Sequence, residues 1–149
     1  MYTLIEFAVR KLYMTTTIWL RVSSVIALLF ALGHASGGLQ YWSPTGDNTV
    51  LQAMRGTPFD IMGTKRTYFD FYMGFGHSLS VAQLMLAILL WQLSTLARTN
   101  ALGVRNMIAV IALATIATGV IAWQFIFLLP VLFCLALVGS LAVAYVVAR

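Results

Sequence analysis

Four stretches of this sequence are each close to the length a helix needs to cross a bilayer, and they carry almost no charge. They run from about Thr17 to Leu39, Tyr68 to Leu93, Met107 to Trp123 and Phe127 to Val147. About 20 apolar residues, rising 1.5 Å each, cover the hydrocarbon core. The rest of the composition agrees. Of 149 residues, 61% are hydrophobic and 9% charged, and the mean hydropathy is +0.92. A soluble domain carries about 25% charged residues, and a chain this small cannot hide so much apolar surface in one core. A disordered chain, a soluble enzyme domain and a nucleic-acid binder working through a basic face are all excluded, despite the net charge of +5. We expect an all-α fold: a four-helix transmembrane bundle in which residues 1–149 form a single integral membrane domain.

The connections are unequal. The first, about Gln40 to Thr67, is long and rich in glycine, proline, asparagine and aspartate, which predicts one long loop. The second, about Ser94 to Asn106, is short and basic, and the third, around Gln124, is almost absent. Before the first span, Met1 to Met14 mixes Glu6, Arg10 and Lys11 with apolar residues near helical spacing. That pattern predicts a short N-terminal amphipathic helix on the membrane surface, and it lacks the order of a signal peptide. Four spans put both termini on one side. That side carries Arg10, Lys11, Arg21, Arg98, Arg105 and Arg149, six cations, against Arg55, Lys65 and Arg66, three, on the other. The positive-inside rule then places both termini in the cytoplasm and the long loop outside. Gly33 with Gly37, and Ala114 with Thr118, suit close helix packing in lipid. The lone Cys134 has no disulfide partner and reads as a small packed hydrophobe.

Ionisable groups inside a bilayer are costly, and those of the second span cluster. Asp70 opens it, and His77 follows seven residues later on the same face with Gly74 between. The two polar groups are about 10 Å apart along the axis, a gap one bound molecule could bridge. Asp70 reads either as a general acid or base, or as a helix-end charge favoured by the dipole and paired with Lys65 or Arg66. His77 reads either as a ligand contact or as a partner of a neighbouring carbonyl or serine. His34 lies near the end of the first span, within about 5 Å of His77 in depth. Its Gly33–Gly38 surroundings predict a frayed helix end whose freed peptide groups line a cavity. Tyr41, Trp42, Tyr68, Phe69, Phe71, Tyr72 and Trp123 form an aromatic belt on the same side. Arg21 reads as a snorkelling orientation signal.

The run Arg66-Thr67-Tyr68-Phe69-Asp70-Phe71-Tyr72-Met73-Gly74-Phe75-Gly76, with Leu90-Trp91-Gln92-Leu93 later, resembles an uncharacterised family of small four-span bacterial integral membrane proteins. In that family an R-T-Y-(W/F)-D-F-Y-x-G-F-G signature opens the second span, and Gly33-His34 also fits. Arg66, Tyr68, Asp70, Tyr72, Gly74 and Gly76 match the signature, whereas Phe69 stands at a position more often tryptophan and His77 at one that is otherwise apolar. The resemblance implies a multi-pass protein of the bacterial inner (cytoplasmic) membrane and brings no activity with it.

Three functions fit these residues. The first is an outer-leaflet polar pocket for a lipophilic small molecule, open to acid–base catalysis. Asp70 would be the base, His34 the acid and Tyr72 a donor, with His77, Tyr68, Gly74, Arg66 and Trp42 as ligand contacts. The second is a non-catalytic accessory subunit of a respiratory or photosynthetic complex. The third is a b-type haem carrier ligated by His34 and His77. No metal site is expected, since the two histidines lack a third ligand other than Asp70, and the partners expected are lipid, a lipophilic ligand or membrane-complex subunits, with no nucleic acid. A cysteine introduced between Gln40 and Thr67 should react with an impermeant reagent added to intact cells; reaction only after permeabilisation would reverse the assigned orientation.

Overall fold

The computed structural model describes the backbone of residues 2–148 and the side chains of residues 14–148. The elements follow as α1 (Tyr2–Gly38), α2 (Thr49–Gly56), β1 (Pro58–Ile61), β2 (Thr64–Thr67), α3 (Tyr68–Leu96), α4 (Ala101–Phe125) and α5 (Leu128–Val147). The fold is an all-α bundle. Four helical segments are long and apolar enough to cross a membrane: Met14–Gly38, Tyr68–Leu96, Ala101–Phe125 and Leu128–Val147.

Three boundaries differ from expectation. The backbone of the N-terminal segment is continuous with the first span, so α1 is one helix; the amphipathic side chains expected of that segment lie largely outside the described residues. The second connection is shorter than expected, because Asn100 Oδ1 accepts the Gly103 N–H at 2.8 Å and starts α4 at Ala101 rather than Met107. Arg105 therefore sits in a helix. The long loop is structured. Asn48 Oδ1 accepts the N–H groups of Val50 and Leu51 and caps α2. The antiparallel pair β1–β2 closes through Met62 and Gly63, both at positive φ (52° and 77°), as a two-residue primed turn requires. Methionine is a poor residue for that position, which hid the hairpin in the sequence.

The chain packs as two compact units, Met1–Phe30 with Met85–Arg149, and Ala31–Leu84. In the first, residues at one face of each helix form a core of Leu20, Ala27, Leu90, Val104, Ile108, Leu137 and Leu141. The polarity is partly inverted relative to a soluble domain. Ser23, Ser24, Ser94, Thr115 and Ser140 are buried, while Leu29, Val110, Leu113, Ile121 and Leu135 face outward. Hydroxyls stabilise the interior because they find partners there. Ser23 and Ser140 share a hydrogen bond at 2.8 Å, and Ser24 Oγ donates to Ala87 O at 2.7 Å. Phe30 stacks on Phe133 at 5.0 Å. The pairs Ser23–Ser140 and Phe30–Phe133 keep a constant register, so α1 and α5 run antiparallel.

Close approach within this unit occurs at Gly119 rather than at the Ala114–Thr118 pair. A Cβ at Gly119 would stand 3.2 Å from Cys134 Cβ, and Cys134 is buried there as expected of a small hydrophobe. Thr118 instead donates to Ala114 O within its own helix. A larger side chain must part α4 from α5, at a cost of roughly 1–3 kcal/mol. Gly119→Leu should therefore lower the unfolding midpoint in detergent, whereas Gly139→Ala, with nothing within 4 Å of its Cβ, should leave it nearly unchanged.

Candidate functional site

Residues Ala31–Leu84 hold all eight residues singled out from the sequence, and the structure sorts seven of them into two groups. The first is built around Trp42. Helix α1 does not fray at its glycines; it stays helical through Gly38, and its last carbonyls are taken by the chain that follows. Leu39, Gln40 and Tyr41 donate back to Ser36, Gly37 and Gly38, and the Trp42 N–H reaches Gly37 O at 2.8 Å. Tyr41 and Trp42 must adopt φ of 55° and 47° to do so, a left-handed conformation that costs about 1–2 kcal/mol per residue. The indole offsets that strain. Its Nε1–H donates to His34 O at 2.8 Å, tying the ring to the last turns of α1.

Glycines make room for the ring. A Cβ on Gly37 or Gly38 would come within 2.8 or 3.0 Å of the indole, and one on Gly76 of α3 would overlap it. The ring also contacts His34 at 5.2 Å, His77 at 5.0 Å and Tyr72 at 6.3 Å between centroids. Tyr72 Oη donates to Trp42 O at 3.2 Å, and His34 Nδ1 and Ser80 Oγ share a hydrogen bond at 2.8 Å. The two histidines thus have one indole as their common neighbour. Ser80 and Gly76, half-buried on α3, were not among the residues singled out as ligand contacts.

The second group lines a shallow groove of about 300 Å³ between Arg66, Asp70, Phe71, Gly74, Phe75 and Ser78. Positions 70, 74 and 78 follow one another by four along one face of α3. The helix starts here because Thr67 and Asp70 cap it reciprocally. The Thr67 N–H and Oγ1–H donate to Asp70 Oδ2 at 2.7 and 2.9 Å, and the Asp70 N–H donates to Thr67 Oγ1 at 3.2 Å. Asp70 Oδ1 takes no hydrogen bond from the described residues. Arg66 Nη1 donates to Lys65 O, and the ion pair expected between Asp70 and Lys65 or Arg66 is not formed. Among the described residues the one ion pair joins Arg55 to Asp47 at 2.8 Å. Gly74 has nothing within 4 Å of its Cβ position, so the floor of the groove is open.

Tyr68 belongs to neither group. Its ring packs on Phe59 of the hairpin at 5.0 Å, and Phe59 also meets Phe71 at 5.1 Å, which ties β1 to the first turns of α3. Arg55 was counted in the sequence only as a charge. It lies over Phe69 and Tyr41, at 4.3 and 4.9 Å from their centroids, and grips Asp47 with both carboxylate oxygens. Its spacing of eight from Asp47 was the available signal. Among the described residues no group of three His, Cys, Asp or Glu side chains is placed to hold a metal ion.

Comparison with protein-family models, with curated proteins and with solved structures finds no match.

Because the indole is pinned by Nε1, it cannot swing away from a new methyl group. Gly76→Ala should destabilise the protein by roughly 1–3 kcal/mol, while Gly74→Ala should be close to neutral. In the double variant Gly76→Ala/Trp42→Ala the cost of the Gly76 change should shrink, a non-additivity expected of residues in contact and measurable by detergent unfolding.

Proposed function

We propose that this chain is a multi-pass protein of the bacterial inner membrane, with both termini cytoplasmic, that binds a lipophilic small molecule in the groove at the start of α3. By its signature we place it with the small four-span family described above. The observation that carries the reading is the groove itself. It pairs a cation, Arg66, and a carboxylate, Asp70, with two aromatic rings, Phe71 and Phe75, over the open floor of Gly74. Charge at one end and apolar surface along the helix suit an amphiphile, whose polar head would meet Arg66 and Asp70 while its apolar part runs toward Ser78. From Asp70 to Ser78 is about 12 Å along the axis.

The two charges line one groove without pairing, which leaves each available to a group of opposite sign. A zwitterionic head satisfies both. Arg66 would take its anionic group in a forked contact, and Asp70 Oδ1 its cationic one. The role is binding: His34 Nδ1 bonds Ser80 and Tyr72 Oη bonds Trp42 O, and the groove is lined by neither residue. They position the start of α3.

Asp70→Asn keeps an acceptor for Thr67 and so preserves the helix cap, yet removes the charge. A charge-assisted hydrogen bond contributes about 1.5–3 kcal/mol, so each of Asp70→Asn and Arg66→Gln should cut ligand retention roughly tenfold or more. Gly74→Trp should abolish it by filling the floor. Native mass spectrometry of protein released gently from its membrane reads the retained molecule. Equal retention by the parent and all three variants would remove the groove as the binding site.

A further inference from the structure

Arg21 stands seven residues beyond Met14, where the first apolar segment begins, about 10 Å along the helix. A cation at that depth costs free energy unless an anion meets it. The chain has four side-chain carboxylates, Glu6, Asp47, Asp60 and Asp70. Asp47 pairs with Arg55, Asp60 Oδ1 accepts the Gly63 N–H, and Asp70 caps α3 with Thr67. Glu6 precedes Arg21 by fifteen residues on the same helix, about 22 Å away along the axis. Among the described residues no carboxylate forms an ion pair with Arg21. Its guanidinium lies instead over the Trp91 ring, 4.9 Å from the centroid, and its Nε is buried without a hydrogen-bond partner.

The same guanidinium borders a groove of about 330 Å³ whose other walls are Ile18, Val22, Val25 and Ile26. The groove is otherwise apolar and follows α1 for about 12 Å. The Trp91 ring covers one face of the guanidinium, and the apolar groove borders it. A fork of N–H donors beside an apolar channel matches a phosphate that carries an acyl chain.

We propose that Arg21 and the Ile18–Ile26 groove form a site for one anionic phospholipid, with its phosphate on the guanidinium and one acyl chain along the groove. A net-anionic headgroup fits better than a zwitterionic one, because no carboxylate is at hand to receive an ammonium. The site is separate from the Arg66 groove, and its test does not depend on that reading.

The experiment uses the full chain in nonionic detergent, supplemented with phosphatidylglycerol or with phosphatidylcholine of the same acyl chains. Phosphatidylglycerol should raise the melting temperature several degrees more than phosphatidylcholine does, and native mass spectra should show one bound phosphatidylglycerol. Arg21→Gln should lose the preference, and so should Val25→Trp, which fills the groove and keeps the cation. Arg21→Lys should retain part of it. If Arg21→Gln does not fold, Val25→Trp and the spectra of the parent protein decide. Equal responses to the two lipids, or a preference surviving in Val25→Trp, would overturn the proposal. So would recovery with an acidic protein at fixed ratio and no bound lipid, which would assign the cation to a partner's carboxylate.

Discussion

A peptide group in hydrocarbon has no water to turn to, so each one must be bonded within the protein. That constraint orders the whole chain. Within the apolar spans the helical ladder meets it, and the buried hydroxyls meet it by bonding carbonyls or one another, as Ser24 does with Ala87 and Ser23 with Ser140. The difficult place is a helix end, where four carbonyls lose their partners. At the end of α1 the chain turns back through two left-handed residues so that its own amides can supply missing donors, and the Trp42 indole bonds His34 O a turn earlier.

Trp42 therefore does more than mark an interface. It is a hydrogen-bond donor for α1, a packing partner for three glycines and a common neighbour of His34, Tyr72 and His77. The glycines act here by their lack of volume: Gly37, Gly38 and Gly76 leave a seat for a large ring. Around that seat His34 bonds Ser80 and Tyr72 bonds Trp42 O. The charges at the start of α3 line a groove and do not pair with each other.

The readable part of this protein was its periodicity and its polarity. Four spans, near the right places, followed from apolar length alone, and Asp70, Gly74 and His77 were placed on one strip by their helical spacing. What spacing could not supply was the partner of each group. Asp70 and His77 share a face of α3, yet Asp70 bonds Thr67 while His77 packs on an indole from the other side of the long loop. The hairpin was hidden because its turn uses Met62, and the start of α4 because Asn100 was read as part of a polar loop rather than as a cap.

The sequence by itself determined that four long apolar helices would form, because burial in lipid depends on the length and hydrophobicity of a segment, which are local properties. Only the tertiary structure decided that Trp42 would seal α1, that His34 would bond Ser80 and that Arg66 and Asp70 would border one groove unpaired. Those outcomes depend on how the segment between the first two spans turns back on itself. That path is set by a few left-handed residues and the space left by glycines, and neither leaves a periodic trace in the chain.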